Sequence, residues 1–193
     1  LQLLAERNFP AASVTALASS RSAGTEVNYG NKKLTVQDLA EFDFADTQIA
    51  LFSAGGSISA EHAPRAAAAG CVVIDNTSHF RNEPDIPLIV PEVNPEALAG
   101  YTQRNIIANP NCSTIQMVVA LKPIDDAAGI ERINVATYQA VSGTGREAVE
   151  ELATQTANLL SGKPIECHAY PKQIAFNALP HIDSFQENGY TRE

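Results

Sequence analysis

Three short apolar runs, each followed by polar or glycine-rich residues, constrain the fold of this chain more than any other feature. They are Ile49–Phe52, Cys71–Ile74 and Ile106–Ala108. A continuous apolar run of this length is typical of a central strand buried on both faces of a parallel sheet. An alanine-rich helix is predicted at 58–69, between the first two runs. This alternation predicts an α/β fold with a doubly wound, Rossmann-like parallel sheet over the first 110 residues.

Weaker patterns extend the predicted sheet. Strands are predicted at Val14–Ala18, Lys33–Val36 and Pro87–Val93, and a short helix at Asn94–Leu98. Polar and glycine-rich segments follow the carboxyl ends of the strands, which is the edge where doubly wound sheets bind ligands. We therefore expect the functional residues of this part of the chain to lie on the connecting segments.

A helix predicted after the strand at 106–108 begins at a cysteine. Asn111 is a good N-cap, apolar residues fall at i, i+3 and i+4 from Ile115, and Pro123 is predicted to stop the helix. The free amide donors and positive dipole of a helix N-terminus stabilise a thiolate, which is the nucleophilic form of cysteine. Cys112 is therefore a candidate nucleophile. The alternative is a small buried apolar residue, the usual role of a free cysteine.

The chain changes character after this helix start. Ile133–Val141 has the partial alternation of a strand covered on one face, and a helix with Val149 and Leu160 on its apolar side is predicted to follow. The predicted domain boundary lies at this change. Residues 1–111 form the doubly wound domain, and residues 112–193 form the first part of a second, α+β domain.

Charge and cysteine content exclude several classes of function. A net charge of −9 argues against nucleic acid or an acidic membrane as partner, because both require basic patches. The cysteines, at 71, 112 and 167, are odd in number and far apart, which argues against disulfides and a zinc site and suits a reducing, cytoplasmic compartment. The four histidines show no metal-ligand spacing, so no metal is expected. Cys71, at the start of an apolar run, is expected in the core.

Two connecting segments point to a nucleotide. Arg21 and Ser22 follow a predicted strand, at the position where a dinucleotide fold places an arginine against the 2′-phosphate that distinguishes NADP from NAD. The alternative is a solvated charged turn. Ser53–Gly56 allows a cofactor to approach the backbone closely, although two adjacent glycines are a weak signal.

Two further residues are candidates for substrate binding. Arg81 follows the polar segment Asp75–Phe80, where a guanidinium can bind a phosphate or carboxylate with two hydrogen bonds. The alternative is a surface ion pair to Glu83 or Asp85. Gln139 interrupts an apolar run, so its amide either pairs with backbone groups or faces a site.

Several of these segments, taken together and in order, resemble aspartate-semialdehyde dehydrogenase. The combination is specific, although each segment alone is a weak signal. The matching segments are 53–57, 75–81, 90–94, 109–114, 137–143 and 173–177.

The resemblance implies a reversible, NADP-dependent reductive dephosphorylation of L-aspartyl 4-phosphate to L-aspartate 4-semialdehyde. This reaction feeds the synthesis of lysine, methionine, threonine and diaminopimelate. The resemblance also implies a cytoplasmic homodimer. By the same resemblance, Cys112 is the nucleophile that forms an acyl-thioester, Gln139 positions the substrate, and Arg81 binds phosphate with Asn111 in the same pocket.

The resemblance also implies a set of cofactor contacts. Arg21 and Ser22 would hold the 2′-phosphate end of NADP. The residues that would also face the cofactor are Ala54, Ser142 and Gly143.

The chain departs from the family pattern by omission. The glycine-rich phosphate loop of the family would precede Leu1, and its acid/base histidine, carboxylate-binding arginine and second phosphate-binding lysine would follow Glu193. We therefore interpret the chain as an internal piece of a longer protein and expect little turnover from it alone. The alternatives are another phosphorylating aldehyde dehydrogenase, such as N-acetyl-glutamyl-phosphate reductase or glyceraldehyde-phosphate dehydrogenase, and a non-catalytic dimerisation module.

Overall fold

The computed structural model describes residues 1–191 and divides into two compact units, Leu1–Glu131 and Arg132–Glu193. The helix that begins at Cys112 lies within the first unit, whereas the sequence pattern assigned it to the second domain. The compact units need not coincide with functional domains, so the predicted boundary between residues 111 and 112 stays a prediction.

The first unit carries most of the helices and strands. In chain order its elements are α1 (Gln2–Glu6), β1 (Leu17–Ala18), β2 (Glu26–Tyr29), β3 (Lys32–Thr35), β4 (Gln37–Asp38), β5 (Ile49–Phe52), α2 (Gly56–Ala68), β6 (Val72–Asp75), a 3₁₀ helix (Pro95–Gln103), β7 (Ile106–Ala108) and α3 (Cys112–Ala128). The elements of the second unit are a short 3₁₀ helix (Val141–Gly143) and α4 (Arg146–Leu160).

A parallel sheet of β5, β6 and β7 positions the candidate residues. Strand β6 lies between the other two, and the register pairs Phe52 with Asp75 and Asp75 with Ala108. The three strands therefore end level with one another. Because the carboxyl ends of parallel strands meet at one edge, the segments that follow these three residues lie side by side. The predicted α/β class with a parallel sheet is confirmed.

One face of this sheet is packed against α2. Val73 and Ile106 on the strands and Ala63 and Ala66 on the helix are fully buried (0% exposed). Each apolar side chain buried in this way stabilises the sheet by about 25 cal/mol per Å² of surface removed from water. The alanine-rich sequence of α2 keeps the helix close to the sheet because its side chains are small.

The opposite face of strand β5 is exposed in residues 1–191. Ile49 and Leu51 of β5 are 48% and 59% exposed. The prediction of a strand buried on both faces is therefore wrong for β5 in the described chain, because α2 covers one face only.

Two of the weaker strand predictions are corrected by the structure. Of Val14–Ala18, only Leu17–Ala18 forms a strand, β1, which pairs in parallel with β4. Pro87–Val93 is not a strand, and a single bridge joins Leu88 to Ala108. Proline has no N–H group to donate, so the two prolines of this segment interrupt any ladder.

Two other predictions are confirmed with shifted bounds. The strand predicted at Lys33–Val36 is β3, which forms an antiparallel hairpin with β2. The short helix predicted at Asn94–Leu98 is a 3₁₀ helix over Pro95–Gln103. Its first turn carries a proline, whose missing N–H would have no helical acceptor at that position.

Helix α3 continues through Pro123, which was predicted to stop it, and ends at Ala128. Proline removes one N–H donor, so the carbonyl of Val119, four residues earlier, has no helical partner. A proline inside a helix can kink it without ending it, and Val119, at 37% exposure, lies on the surface side of α3. Gly129 is the C-cap that follows Ala128, and its backbone φ of 73° is a conformation that glycine adopts without steric strain.

The strand predicted at Ile133–Val141 is wrong for the described chain. Ile133, Val135 and Tyr138 are 49%, 64% and 96% exposed, and the segment has no ladder partner among residues 1–191. A strand depends on hydrogen bonds to a neighbouring strand, so an apolar, alternating sequence alone does not form one.

Helix α4 is confirmed, but its buried face differs from the predicted one. Val149 and Leu160 are 42% and 77% exposed, whereas Glu151 and Gln155 are 9% and 1% exposed. The two polar side chains are buried because each accepts hydrogen bonds from backbone N–H groups of the segment 168–175. The helix therefore holds this extended segment through polar contacts.

Candidate active site

The candidate nucleophile lies at the first residue of α3. The Asn111 side-chain oxygen accepts hydrogen bonds from the backbone N–H groups of Ser113 (2.9 Å) and Thr114 (3.3 Å), which confirms the predicted N-cap. Cys112 is exposed, so the alternative of a buried apolar cysteine is wrong. The thiol is thus presented to solvent at the first residue of a 17-residue helix, the end at which the helix dipole is positive.

The other two cysteines have different surroundings. Cys71 is fully buried, as predicted, and burial raises the pKa of its thiol. Cys167 is exposed in the second unit, where its Sγ lies 3.6 Å from the Gln155 side-chain nitrogen. Of the two exposed cysteines, Cys112 is the one at a helix N-terminus.

The candidate phosphate ligand Arg81 is fixed beside the segment that carries the nucleophile. Its Nε donates to the carbonyl oxygen of Asn109 at 3.0 Å, and its Nη2 donates to the carbonyl oxygen of Asn76 at 3.1 Å. Two of the five guanidinium N–H donors are used in this way, and the remaining three suit an anionic ligand.

The alternative role of Arg81, a surface ion pair, is not observed. Asp85 pairs instead with Arg104, at 2.8 Å. Within residues 1–191 no ion pair joins Arg81 to Glu83. The guanidinium is therefore held by neutral carbonyl groups, and its positive charge is not neutralised by these neighbouring carboxylates.

Hydrogen bonds join the segments that follow the three parallel strands. The Asn109 side-chain nitrogen donates to the Asn76 side-chain oxygen at 2.6 Å, and the Asn76 nitrogen lies 3.5 Å from the Ser53 hydroxyl oxygen. Asn109 also donates its backbone N–H to the carbonyl of Asp75 at 2.8 Å. These contacts make the carboxyl edge of the sheet one connected surface.

The segment after β1 carries the candidate 2′-phosphate ligand. Arg21 is exposed, and in the part of the chain that the structure describes it forms no ion pair. The backbone of Ser22 is fixed in a turn, because its carbonyl accepts the hydroxyl of Thr25 at 2.7 Å. This exposed, charged turn fits both the 2′-phosphate role and the alternative of a solvated turn, so the role of Arg21 stays a prediction.

The start of α2 presents backbone N–H groups beside the candidate residue Ala54. Ala54 is exposed beside Gly55, the N-cap of α2, whose φ is 105°. This helix start has no side-chain cap and no acidic residue in its first turn. Its backbone N–H groups are donors of the kind that bind phosphate at a helix N-terminus.

The remaining candidate residues lie in the second unit. Gln139 is exposed, and its Nε2 lies 3.4 Å from the hydroxyl oxygen of Thr137. Ser142 and Gly143 are exposed in the short 3₁₀ helix. Gln139 lines an open groove of about 680 Å³ together with Phe176 and other residues of this unit. The structure thus groups Arg81, Asn111 and Cys112 in one unit and these residues in the other.

Sequence reasoning missed three residues that support the site. Asp75 and Ser59 are fully buried, and Thr77 is 8% exposed, with hydrogen bonds that join all three. The available signal was a carboxylate at the end of an apolar run, followed by Asn-Thr-Ser. Aspartate is rarely fully buried, so this pattern alone did not single out the carboxylate.

Across residues 1–191 no three His, Cys, Asp or Glu side chains are grouped in a way that would hold a metal ion. Nor does this range contain a helix whose length and apolar character would let it cross a bilayer.

Comparison with known families assigns the chain to a class. Residues 1–101 match the family model "Semialdehyde dehydrogenase, NAD binding domain", and residues 121–193 match "Semialdehyde dehydrogenase, dimerisation domain". The chain therefore belongs to the semialdehyde dehydrogenase family.

Individual relatives narrow the class, and the resemblance to aspartate-semialdehyde dehydrogenase is confirmed. The aspartate-semialdehyde dehydrogenase of Legionella pneumophila is 64% identical over 193 residues, which are all of this chain and 56% of that protein. The crystal structure of aspartate semialdehyde dehydrogenase II complexed with ASA from Vibrio cholerae superposes with a TM-score of 0.96 at 60% identity, covering 98% of this chain and 56% of that one. The chain thus spans a little over half of these relatives.

A more distant structure bears on the cofactor. The aspartate semialdehyde dehydrogenase with NADP from Candida albicans has a TM-score of 0.50 and 26% identity, covering 61% of this chain and 40% of that one. For this chain, the match of residues 1–101 to an NAD binding domain model makes a nicotinamide cofactor the expected ligand of the first unit.

Proposed function

We propose that the protein is an NADP-dependent aspartate-semialdehyde dehydrogenase that converts L-aspartyl 4-phosphate to L-aspartate 4-semialdehyde and phosphate. In this proposal residues 1–111 supply most of the NADP-binding domain, and residues 112–193 supply the first part of the catalytic and dimerisation domain. One observation carries the proposal: an exposed cysteine at a capped helix start, with the Arg81 guanidinium hydrogen-bonded to the same connecting segment.

Cys112 acts as the nucleophile in the proposed reaction. Its thiolate attacks the acyl carbon of the substrate, a C–S bond forms, the C–O bond to phosphate breaks, and phosphate leaves with the electron pair. NADPH, when bound, would supply the hydride that reduces the thioester on Cys112. The oxygen of the resulting tetrahedral intermediate then re-forms the C=O bond as the C–S bond breaks, so the aldehyde is released and the Cys112 sulfur regains its electron pair. An acid/base group assists the proton transfers at oxygen and sulfur.

Arg81 and Asn111 bind the leaving phosphate in this proposal. A guanidinium held by neutral carbonyls keeps its full charge, which favours a phosphate dianion close to it. The Asn111 side chain lies at the start of α3, so a phosphate beside it also meets the positive end of the helix. Both groups stabilise negative charge as it develops on the leaving group.

The cofactor is held by connecting segments of the first unit in this proposal. Arg21 and Ser22 bind the 2′-phosphate, which selects NADP over NAD, and Ala54 lies beside the helix start that receives a phosphate. In the second unit Ser142 and Gly143 face the cofactor, and Gln139 positions the substrate. All of these residues are exposed except Ser22, which is half-buried, and this accessibility is consistent with ligand contacts.

The proposal extends to assembly and cellular role. The match of residues 121–193 to a dimerisation domain supports a homodimer. The three free cysteines suit a reducing compartment, so we place the enzyme in the cytoplasm. We also place this reaction in the biosynthesis of lysine, methionine, threonine and diaminopimelate, the role that the resemblance to aspartate-semialdehyde dehydrogenase implies.

The test is a steady-state assay of the full-length protein with aspartate semialdehyde, phosphate and NADP. We expect turnover that Cys112→Ser abolishes and that Cys167→Ser, the matched exposed cysteine, leaves unchanged. The same assay with glyceraldehyde 3-phosphate or N-acetyl-glutamate semialdehyde separates the related dehydrogenases. Preference for either of these substrates would overturn the substrate assignment, and no turnover with any of the three would support a non-catalytic module.

A further inference from the structure

A fully buried carboxylate at the end of β6 has no role in the reaction proposed above. Asp75 is 0% exposed, and no ion pair neutralises it within residues 1–191. Its Oδ1 accepts hydrogen bonds from the Ser59 hydroxyl (2.6 Å) and the Thr77 backbone N–H (3.2 Å), and its Oδ2 accepts one from the Thr77 hydroxyl (2.7 Å). Burying an aspartate costs free energy unless its oxygens accept hydrogen bonds. The folded arrangement around Asp75 therefore depends on these three contacts.

The Thr77 side of this network leads to the candidate phosphate ligand. The Thr77 hydroxyl oxygen also accepts the backbone N–H of His79 at 3.3 Å. The next residue, Phe80, is 3% exposed and belongs to the hydrophobic core. The turn that precedes Arg81 is therefore fixed by Asp75 at its start and by the core at its end.

The Ser59 side of the network leads to the candidate cofactor segment. Ser59 is fully buried on α2, one turn after the helix start at Gly56. Its hydroxyl donates to the same carboxylate that organises the turn before Arg81. One buried side chain thus connects the helix start proposed to meet the cofactor with the segment proposed to meet phosphate.

We propose that Asp75 is a positioning residue that, through Thr77, fixes the direction in which Arg81 presents its guanidinium to phosphate. The inference rests on the proposed function, because it requires Arg81 to be a phosphate ligand. Asp75 touches neither substrate nor cofactor in this account. Its contribution is a preorganised geometry, since a misplacement of about 1 Å in a binding group costs up to about 100-fold in rate.

The experiment measures KM values of full-length variants in the direction that consumes phosphate. Thr77→Val keeps the shape of the side chain and removes the hydroxyl, whereas Thr77→Ser keeps the hydroxyl and serves as the matched control. We expect Thr77→Val to raise the KM for phosphate about tenfold, to change the KM for NADP less than about twofold, and to leave the alkylation rate of Cys112 unchanged. Thr77→Ser is expected to keep the KM for phosphate at the wild-type value. Asp75→Asn keeps the shape of the side chain, and we expect its KM for phosphate to lie between the values of the wild type and Thr77→Val.

The same Thr77 substitution in Arg81→Lys protein separates this inference from the proposed function. In Arg81→Lys protein, Thr77→Val is expected to add little to the KM for phosphate, because Thr77 acts through Arg81. If Arg81→Lys alone leaves the KM for phosphate unchanged, the proposed role of Arg81 is wrong and this inference fails with it. If Arg81→Lys raises the KM for phosphate but Thr77→Val does not, the positioning role alone is overturned. The same holds if Thr77→Ser raises this KM as much as Thr77→Val does.

Discussion

The Nε of Arg81 donates a hydrogen bond to the carbonyl oxygen of Asn109 at 3.0 Å, three residues before Cys112 in the chain. The two residues belong to segments that leave neighbouring parallel strands, β6 and β7, at the same edge of the sheet. The register of the sheet and this hydrogen bond together fix the guanidinium beside the helix start that carries the thiol. The proposed nucleophile and the proposed phosphate ligand are thus positioned by the same few backbone contacts.

Arg81→Lys is expected to raise the KM for phosphate about tenfold or more in the full-length enzyme. Lysine keeps the positive charge but has no planar guanidinium. The Arg81 guanidinium donates to two carbonyl oxygens and still has three N–H donors for phosphate. Steady-state kinetics in the phosphate-consuming direction provide the measurement. Arg104→Lys is the control, since Arg104 forms an ion pair with Asp85 in which both side chains are 41% exposed. An equal effect of the two substitutions would argue against a specific role for Arg81.

Asn111→Ala is expected to lower the free energy of unfolding by about 1 kcal/mol, because the cap of α3 is lost. The backbone N–H groups at the helix start would then lose their fixed positions, so alkylation of Cys112 by iodoacetamide should slow. Urea unfolding and a timed alkylation assay provide the two measurements. Asn111→Ser keeps a capping oxygen and should preserve the stability. A loss of stability as large in the serine variant as in the alanine variant would contradict the capping account.

Arg21→Ala is expected to raise the KM for NADP about tenfold or more and to leave the KM for NAD unchanged. A hydrogen bond to a charged group contributes about 1.5–3 kcal/mol, and about 1.4 kcal/mol corresponds to a factor of ten. Arg7→Ala, a second exposed arginine of the first unit, is the charge-matched control. A parallel loss of affinity for NADP and NAD in Arg21→Ala would show that the residue does not read the 2′-phosphate.

Glu151→Gln is expected to destabilise the second unit by about 1–2 kcal/mol near neutral pH, and by less in acid. Desolvation by burial raises the pKa of Glu151, but backbone N–H groups of Ala169, His168 and Tyr170 outweigh it and hold the pKa below its ordinary value of 4.5. A carboxyl whose pKa is lowered by folding stabilises the folded state above the unfolded-state pKa. That stabilisation is lost as the pH falls through the folded-state pKa.

Urea unfolding at pH 7 and at successively lower pH tests this expectation. The difference between wild type and Glu151→Gln should shrink as the pH falls below about 4.5. Glu150→Gln is the control, because Glu150 is exposed and pairs only with Arg146 one turn away on α4, at 2.6 Å. A difference that stays constant from pH 7 into acid would contradict the role of the ionised carboxylate.

The parts of the fold that depend on short-range pattern were predictable from the sequence. The apolar runs of β5, β6 and β7 and the alanine-rich helix α2 are where the pattern placed them, because burial against the sheet decides their structure. The start of α3 was predictable for a different reason. An asparagine N-cap acts through a local hydrogen bond that needs no tertiary context.

The parts that depend on partners in space were not predictable. The segment 133–141 has the pattern of a strand, but a strand also needs a neighbour in register. Burial of Asp75 and Glu151 depends on hydrogen-bond donors that come from other segments, such as Ser59 for Asp75 and the backbone of 168–169 for Glu151. Pro123 was misread because a proline inside a helix can kink it without ending it, and the local sequence does not show which of the two occurs.

The most direct test of the nucleophile is a single-turnover experiment without phosphate. Full-length enzyme is mixed with aspartate semialdehyde and excess NADP, and the NADPH formed is followed while the protein is analysed by mass spectrometry. If Cys112 forms the acyl-thioester, one equivalent of NADPH per active subunit appears in a burst, an aspartyl adduct maps to Cys112, and added phosphate restores turnover. A burst in Cys112→Ser protein, or an adduct that maps to Cys167 instead, would contradict the account.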